Sequence, residues 1–192
     1  MTWSHEMAAF LHEPLILWTL RSFLAALFAT AAISKLAGIE EFYGVVRNFR
    51  LLPDWLARAV AMVLPVAELA VAVALLVPAL ARPAALVAAL LLAIFGLAIA
   101  INVLRGRTQI DCGCFRGGMK QRISWLVVGR NVLLTGLAAA VAALHPSARP
   151  AGLAELATGL IAGAVLMLLY FSASLLGGLS ATQNATSTAK GR

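Results

Sequence analysis

Five apolar runs of about twenty residues each, lying at about 15–33, 56–80, 84–104, 123–144 and 151–176, constrain this 192-residue chain more than anything else in it. A helix rising about 1.5 Å per residue crosses the roughly 30 Å hydrocarbon core of a bilayer in that length. Inside lipid every backbone N–H and C=O must be paired within the protein, which leaves helices or a closed barrel. The alternating ten-residue pattern of a barrel is absent, so the runs predict an all-α polytopic bundle of about five transmembrane helices. Composition agrees: 62% of residues are apolar and 12% charged, against about 45–50% and about 25% in soluble proteins. A net charge of +7 would suit nucleic acid, but the basic residues cluster beside the apolar runs, as they do in membrane proteins, and no nucleic-acid partner is expected.

The expected organisation is one membrane domain over residues 1–179, with a small, polar tail at 180–192 that reads as disordered. The first twelve residues lack the basic cluster of a signal peptide, so the first run is expected to stay in the chain. Between the first two runs, Ile39, Phe42, Val45, Val46, Phe49 and Leu52 recur at helical spacing among charged residues. This is an amphipathic helix for the interface, either a connector or a lid. A tight Ala81-Arg82-Pro83 turn separates the second and third runs, and the Gly, Ala and Ser of the fifth suit close helix packing.

Ionisable residues inside a membrane are costly and often functional. Arg21 is near enough to the end of its run to snorkel to the interface. Glu68, three residues after Pro65, falls near mid-membrane, and Arg130 lies within roughly 5 Å of its depth by the helical rise, so an ion pair between them is geometrically allowed. Such a pair would either hold two helices together or line a polar path, the latter suiting a transporter or scaffold.

The chain's two cysteines stand together in Asp111-Cys112-Gly113-Cys114-Phe115, within a basic loop from Arg105 to Arg122. A disulfide across one residue meets the required Cα spacing only in a sharp turn, which Gly113 permits. Such bonds are strained and suit exchange rather than bracing. Arg105, Arg107, Arg116, Lys120 and Arg122 favour thiolate, and Asp111 opposes them. Metal binding is not expected, because it needs three or four ligands and the three histidines, His5, His12 and His145, fall at the opposite end of a five-span bundle. Inert packing and palmitoylation are the other readings of the pair.

Loop charge sets the expected orientation. Lys35, Arg47, Arg50, Arg58, Arg105, Arg107, Arg116, Lys120, Arg122, Lys190 and Arg192 lie on one face, against Arg82 and Arg149 on the other. The positive-inside rule then puts the N-terminus outside and the cysteine loop and C-terminus in the cytoplasm, where thiols are normally kept reduced.

The cysteine motif, Ile123-Ser124-Trp125, Arg130-Asn131, Ser34-Lys35-Leu36, Leu51-Leu52-Pro53 and Pro65 with Glu68 together resemble the methylamine utilisation protein MauE family, related to DoxX-like membrane proteins. The resemblance covers about residues 15–176. It implies a multi-pass protein of the bacterial inner membrane that serves disulfide formation in the small (beta) subunit of periplasmic methylamine dehydrogenase, alongside a thioredoxin-like partner. Cys112 and Cys114 would then carry the exchange as a thiol-disulfide oxidoreductase, and a quinone in the bilayer is an alternative electron acceptor. Arg116 departs from the family pattern, which has glycine there.

Overall fold

The computed structural model describes residues 13–110, 112, 122–144 and 151–190, with side chains described up to residue 174. Among the described residues six α-helices follow in order: α1 (Pro14–Leu36), α2 (Ile39–Asn48), α3 (Asp54–Leu76), α4 (Ala81–Leu104), α5 (Trp125–Leu144) and α6 (Leu153–Lys190), with a 3₁₀ turn at Pro78–Leu80. All but α2 contain a stretch long and apolar enough to cross a membrane. The protein is therefore an all-α, multi-pass membrane protein.

Proline marks several helix starts. Pro14 opens α1, Pro53 immediately precedes α3, and Pro83 sits in the first turn of α4, where a missing N–H costs nothing. For the same reason the expected Ala81-Arg82-Pro83 turn is corrected. Those residues begin α4, and the chain reverses through Val77 and the Pro78–Leu80 turn. At the other end of α4, Gly106 takes φ 70°, a left-handed conformation open to glycine without steric cost. The backbone of α6 continues as helix to Lys190. No proline follows residue 150 to interrupt it.

In the bundle, α1 is flanked by α3 and α6, while α4 and α5 form the other extensive pair. Leu24, Leu75, Ala85, Ala138 and Val141 meet in the core. The approach of α6 to α1 depends on two glycines one turn apart. A Cβ on Gly159 would lie 2.7 Å from Cβ of Trp18, and one on Gly163 would collide with Ser22 Oγ. The close approach lets Ser22 Oγ donate a 2.8 Å hydrogen bond to the Gly159 carbonyl. This is the packing expected of small residues in membrane helices.

Arg21 does not snorkel. It is buried within the protein, and its Nε donates to the Leu75 carbonyl at 2.8 Å. Leu75 lies in the last turn of α3, whose final carbonyls lack intrahelical donors and carry the negative end of the helix dipole. The guanidinium also stacks 4.1 Å from the centroid of Trp18.

Candidate functional site

The contact between Arg21 and Leu75 fixes the register of α1 against the antiparallel α3. Counting along both helices puts Phe28 level with Glu68, and Lys35 about 10 Å nearer the cysteine end of the bundle. Helical side chains lean toward their own N-terminus. Lys35 therefore leans into the bundle and Glu68 leans toward the cysteine end, and the two close the gap. Nζ of Lys35 donates to both carboxylate oxygens of Glu68 at 2.8 Å. Both residues are buried, at 3% and 4% exposure, with the rings of Phe42 and Phe95 centred 5.3 and 5.6 Å from Nζ. With both charges buried, removing one partner would strand the other, which costs about 3–5 kcal/mol in buried pairs.

The pair forms one wall of a cavity of about 50 Å³. Arg130, Asn131 and Tyr170 contribute its other polar groups, and Phe28, Phe95 and leucines complete it. Asn131 stands where α5 meets α4, its Cβ lying 3.1 Å from the position of a Cβ on Gly96. Its amide donates to the Val127 carbonyl of its own helix.

Arg130 lies five residues into α5, and the same lean carries its guanidinium toward the cysteine end. Nη2 comes within 3.8 Å of the Cys112 sulfur, while the guanidinium carbon is 5.7 Å from the centroid of Tyr170. Cys112 itself is 2% exposed, packed with Phe49, Ile99, Val103, Ile123 and Val127. Three hydrogen bonds flank this stretch. Ile123 N donates to the Ile110 carbonyl at 3.0 Å, and Arg107 Nη1 donates to the Phe49 carbonyl and to Oδ1 of Asn102.

The amphipathic helix acts here as a cover rather than a bare connector. It is shorter than its hydrophobic pattern, ending at Asn48 before Arg50, which has φ 49°. Phe42 from α2 sits over Lys35, and Phe49, just beyond it, packs on the Cys112 cluster. An exposed Arg58–Glu40 contact of 2.9 Å links α2 to α3. Trp55 and Trp125 are exposed at the starts of α3 and α5, both at the cysteine end, where interfacial tryptophans belong.

Of the residues singled out in the sequence, Glu68, Arg130 and Cys112 are brought to one end of the bundle. Asp111, Gly113, Cys114, Phe115, Arg116 and Lys120, together with the three histidines, lie outside the described residues. Sequence reasoning missed Lys35, which it counted among the loop cations. The available signal was its position in the last turn of α1, with an acid in the next span and a side chain directed inward. The cation at the Cys112 sulfur likewise comes from α5. Of the loop cations expected there, Arg105 and Arg122 are exposed and Arg107 is engaged with Phe49 and Asn102.

Fold and site together define a multi-pass membrane protein with a buried ion pair, an intramembrane cavity and a cysteine sulfur enclosed beside it. The comparisons identify the family. The model of the methylamine utilisation protein MauE family matches residues 13–145, and the chain belongs to that family. It is 72% identical over 186 residues to a methylamine utilization protein MauE of Paracoccus versutus, covering 97% of this chain and all of that one. The protein of the same name from Paracoccus denitrificans is 66% identical over the same shares of both chains. That of Methylorubrum extorquens is 54% identical, covering 95% of this chain and 98% of its own. No solved structure matches the chain.

Proposed function

We propose that this protein serves methylamine utilisation as a thiol-disulfide exchange factor of the bacterial inner membrane. In this reading Cys112 and Cys114 pass disulfides to the small subunit of methylamine dehydrogenase, together with a thioredoxin-like partner. The observation that carries the reading is the enclosure of the Cys112 sulfur under α2 with a guanidinium 3.8 Å away. A cysteine kept only as a small apolar filler has no use for a cation, and metal ligation requires more donors than a pair. The relatives' names supply the pathway.

In the exchange, a client thiolate attacks one sulfur of the Cys112–Cys114 disulfide and releases the other as a thiolate. A second client thiolate then displaces the mixed disulfide. The client leaves oxidised and the pair is left as a dithiol, whose two electrons pass to the disulfide of the thioredoxin-like partner. A quinone is the other acceptor class available in a bilayer. Lys35, Arg130 and Tyr170 offer donors for its carbonyls, but about 50 Å³ suits water rather than a ring.

The test is maturation of active dehydrogenase in cells carrying Cys112→Ser, Cys114→Ser or both. Each single variant is expected to abolish maturation while the protein still reaches the membrane. Full activity in the double variant overturns the reading and leaves the Lys35–Glu68 cavity as the functional element of a transporter or scaffold. Orientation is read in the same strains. The loop-charge bias persists with Lys35 withdrawn from it and favours an inward loop, whereas direct attack by a periplasmic client requires an outward one: labelling by a membrane-impermeant maleimide after reduction supports the direct exchange, and labelling by a permeant reagent alone overturns it.

A further inference from the structure

The apolar wall around the Cys112 sulfur is built from two kinds of element. Ile99 and Val103 belong to α4 and Val127 to α5, two spanning helices packed extensively on each other. Phe49, with Val45 and Leu51 beside it, comes instead from the end of α2 and the link that follows. α2 is short, and its exposed Arg58–Glu40 contact with α3 adds little restraint in water. Access to the sulfur therefore turns on what keeps Phe49 in place.

That restraint is encoded between Asn102 and Arg107. α4 ends in a Schellman turn. Gly106, in its left-handed conformation, donates its N–H to the Val103 carbonyl at 3.0 Å, and Arg107 donates its own to the Asn102 carbonyl at 3.0 Å. The turn lays Arg107 back on Asn102, which is wholly buried and whose amide donates to the Ala98 carbonyl. Oδ1 of Asn102 accepts from Arg107 Nη1 at 3.0 Å, and the same nitrogen reaches the Phe49 carbonyl at 3.3 Å. That carbonyl stands at the C-terminal end of α2, where helix carbonyls lack donors and the dipole favours a cation. The next residue, Arg50, has φ 49°, a conformation that a residue with a side chain keeps only where its surroundings hold it. Resting on the exchange function proposed above, we propose that Arg107 is a positioning residue for Cys112: seated on Asn102, it pins Phe49 over the sulfur, which a client reaches only when the Arg107–Phe49 contact opens.

The experiment uses the full-length Cys114→Ser protein in detergent, in which Cys112 is the one cysteine, with N-ethylmaleimide as the probe and intact mass as the readout. Arg107→Met is expected to raise the labelling rate at least about tenfold, the worth of a hydrogen bond from a charged donor. Loss of a nearby cation would by itself slow labelling by lowering the thiolate fraction, so a rise reports access. The rates are repeated in denaturant well below the unfolding transition. A local opening exposes little surface and leaves the rate nearly flat, whereas labelling through global unfolding climbs steeply. A rise that is flat in denaturant supports the role. A rate within about twofold of the parent in a folded Arg107→Met overturns it, and so does a rise that follows denaturant as steeply as global unfolding, which would make Arg107 a general brace. If Arg107→Met does not fold, Asn102→Leu decides, since it removes the oxygen that seats Arg107 and leaves the guanidinium and Phe49 in the chain. A flat rise of at least about fivefold then supports the role, and an unchanged rate overturns it. Labelling needs no client, so failure of the exchange reading shows separately, as full dehydrogenase maturation without either cysteine.

Discussion

α1 buries a cation near each of its ends, and the two are treated in opposite ways. Arg21 is answered by a backbone carbonyl at the end of α3 and by the face of Trp18, so it completes a helix terminus and ties α1 to α3. Lys35 is answered by a carboxylate at the wall of a cavity, and that cavity also exposes Arg130, whose guanidinium reaches the Cys112 sulfur. The first arrangement sets a guanidinium against a carbonyl and a ring, neither of which changes charge. The second places an acid, two cations and a tyrosine around one space, and one of those cations reaches a sulfur. Buried charge is therefore common to both arrangements, and only the second adjoins a described cavity and reaches a sulfur.

The largest expected effect comes from breaking the second arrangement. Lys35→Met leaves the Glu68 carboxylate without the ammonium that touches both its oxygens, and should cost about 3–5 kcal/mol in a denaturant titration of the micelle-bound protein. Replacing both residues with methionine should recover most of that, because paired charges exchanged for apolar groups of similar size are often neutral or better. The double variant also tests the comparison. Restored stability with restored dehydrogenase maturation would make the pair a brace like Arg21, whereas restored stability without maturation would tie it to the chemistry. A double variant as unstable as the single one would show that the pair is not the source of the loss.

Much of this could be read in the sequence, and the misses share a cause. The five spans were legible because the bilayer imposes a length and an apolar composition that few other structures require. Glu68, Arg130 and Cys112 stood out because each is out of place for its surroundings. Lys35 did not, since a lysine at the end of a span ordinarily points to water; only the inward lean of its side chain and the register of α1 on α3 bring it to Glu68. The enclosure of Cys112 was hidden similarly. A loop with so many cations reads as surface, and the cover provided by Phe49 and α2 depends on tertiary packing. The misplaced Ala81-Arg82-Pro83 turn reflects the ambiguity of proline, which ends one helix or begins the next with equal local sense.

A smaller effect is expected from the opposite end, where geometry rather than charge sets the packing. Gly163→Val puts methyl groups where Ser22 Oγ and the Phe23 backbone already lie, and neither is the end of a flexible chain. Separation of α6 from α1 should cost about 1–3 kcal/mol, the usual range for overpacking. A loss below a few tenths of a kcal/mol would mean that the two helices part without consequence, and that the close approach does not hold this end.

Ser22→Ala is the mildest change and the sharpest check that the two ends are separate. The hydroxyl contacts two carbonyls, Gly159 at 2.8 Å and its own helix's Thr19 at 3.0 Å, with one proton between them. Removing it strands little, and interhelical hydrogen bonds of this kind in membranes average about 0.6 kcal/mol with a maximum near about 1.7. A loss of about 0.6 kcal/mol is therefore expected, measured by the same titration. Combined with Arg130→Lys, the two losses should add within about 0.3–0.5 kcal/mol, because sites that share no partner and lie well apart do not couple. A coupling energy well above that would mean that α1 transmits packing changes along its length from the glycine contact to the cavity. The brace at Arg21 and the site at Lys35 would then be one mechanical unit rather than two solutions to burying charge.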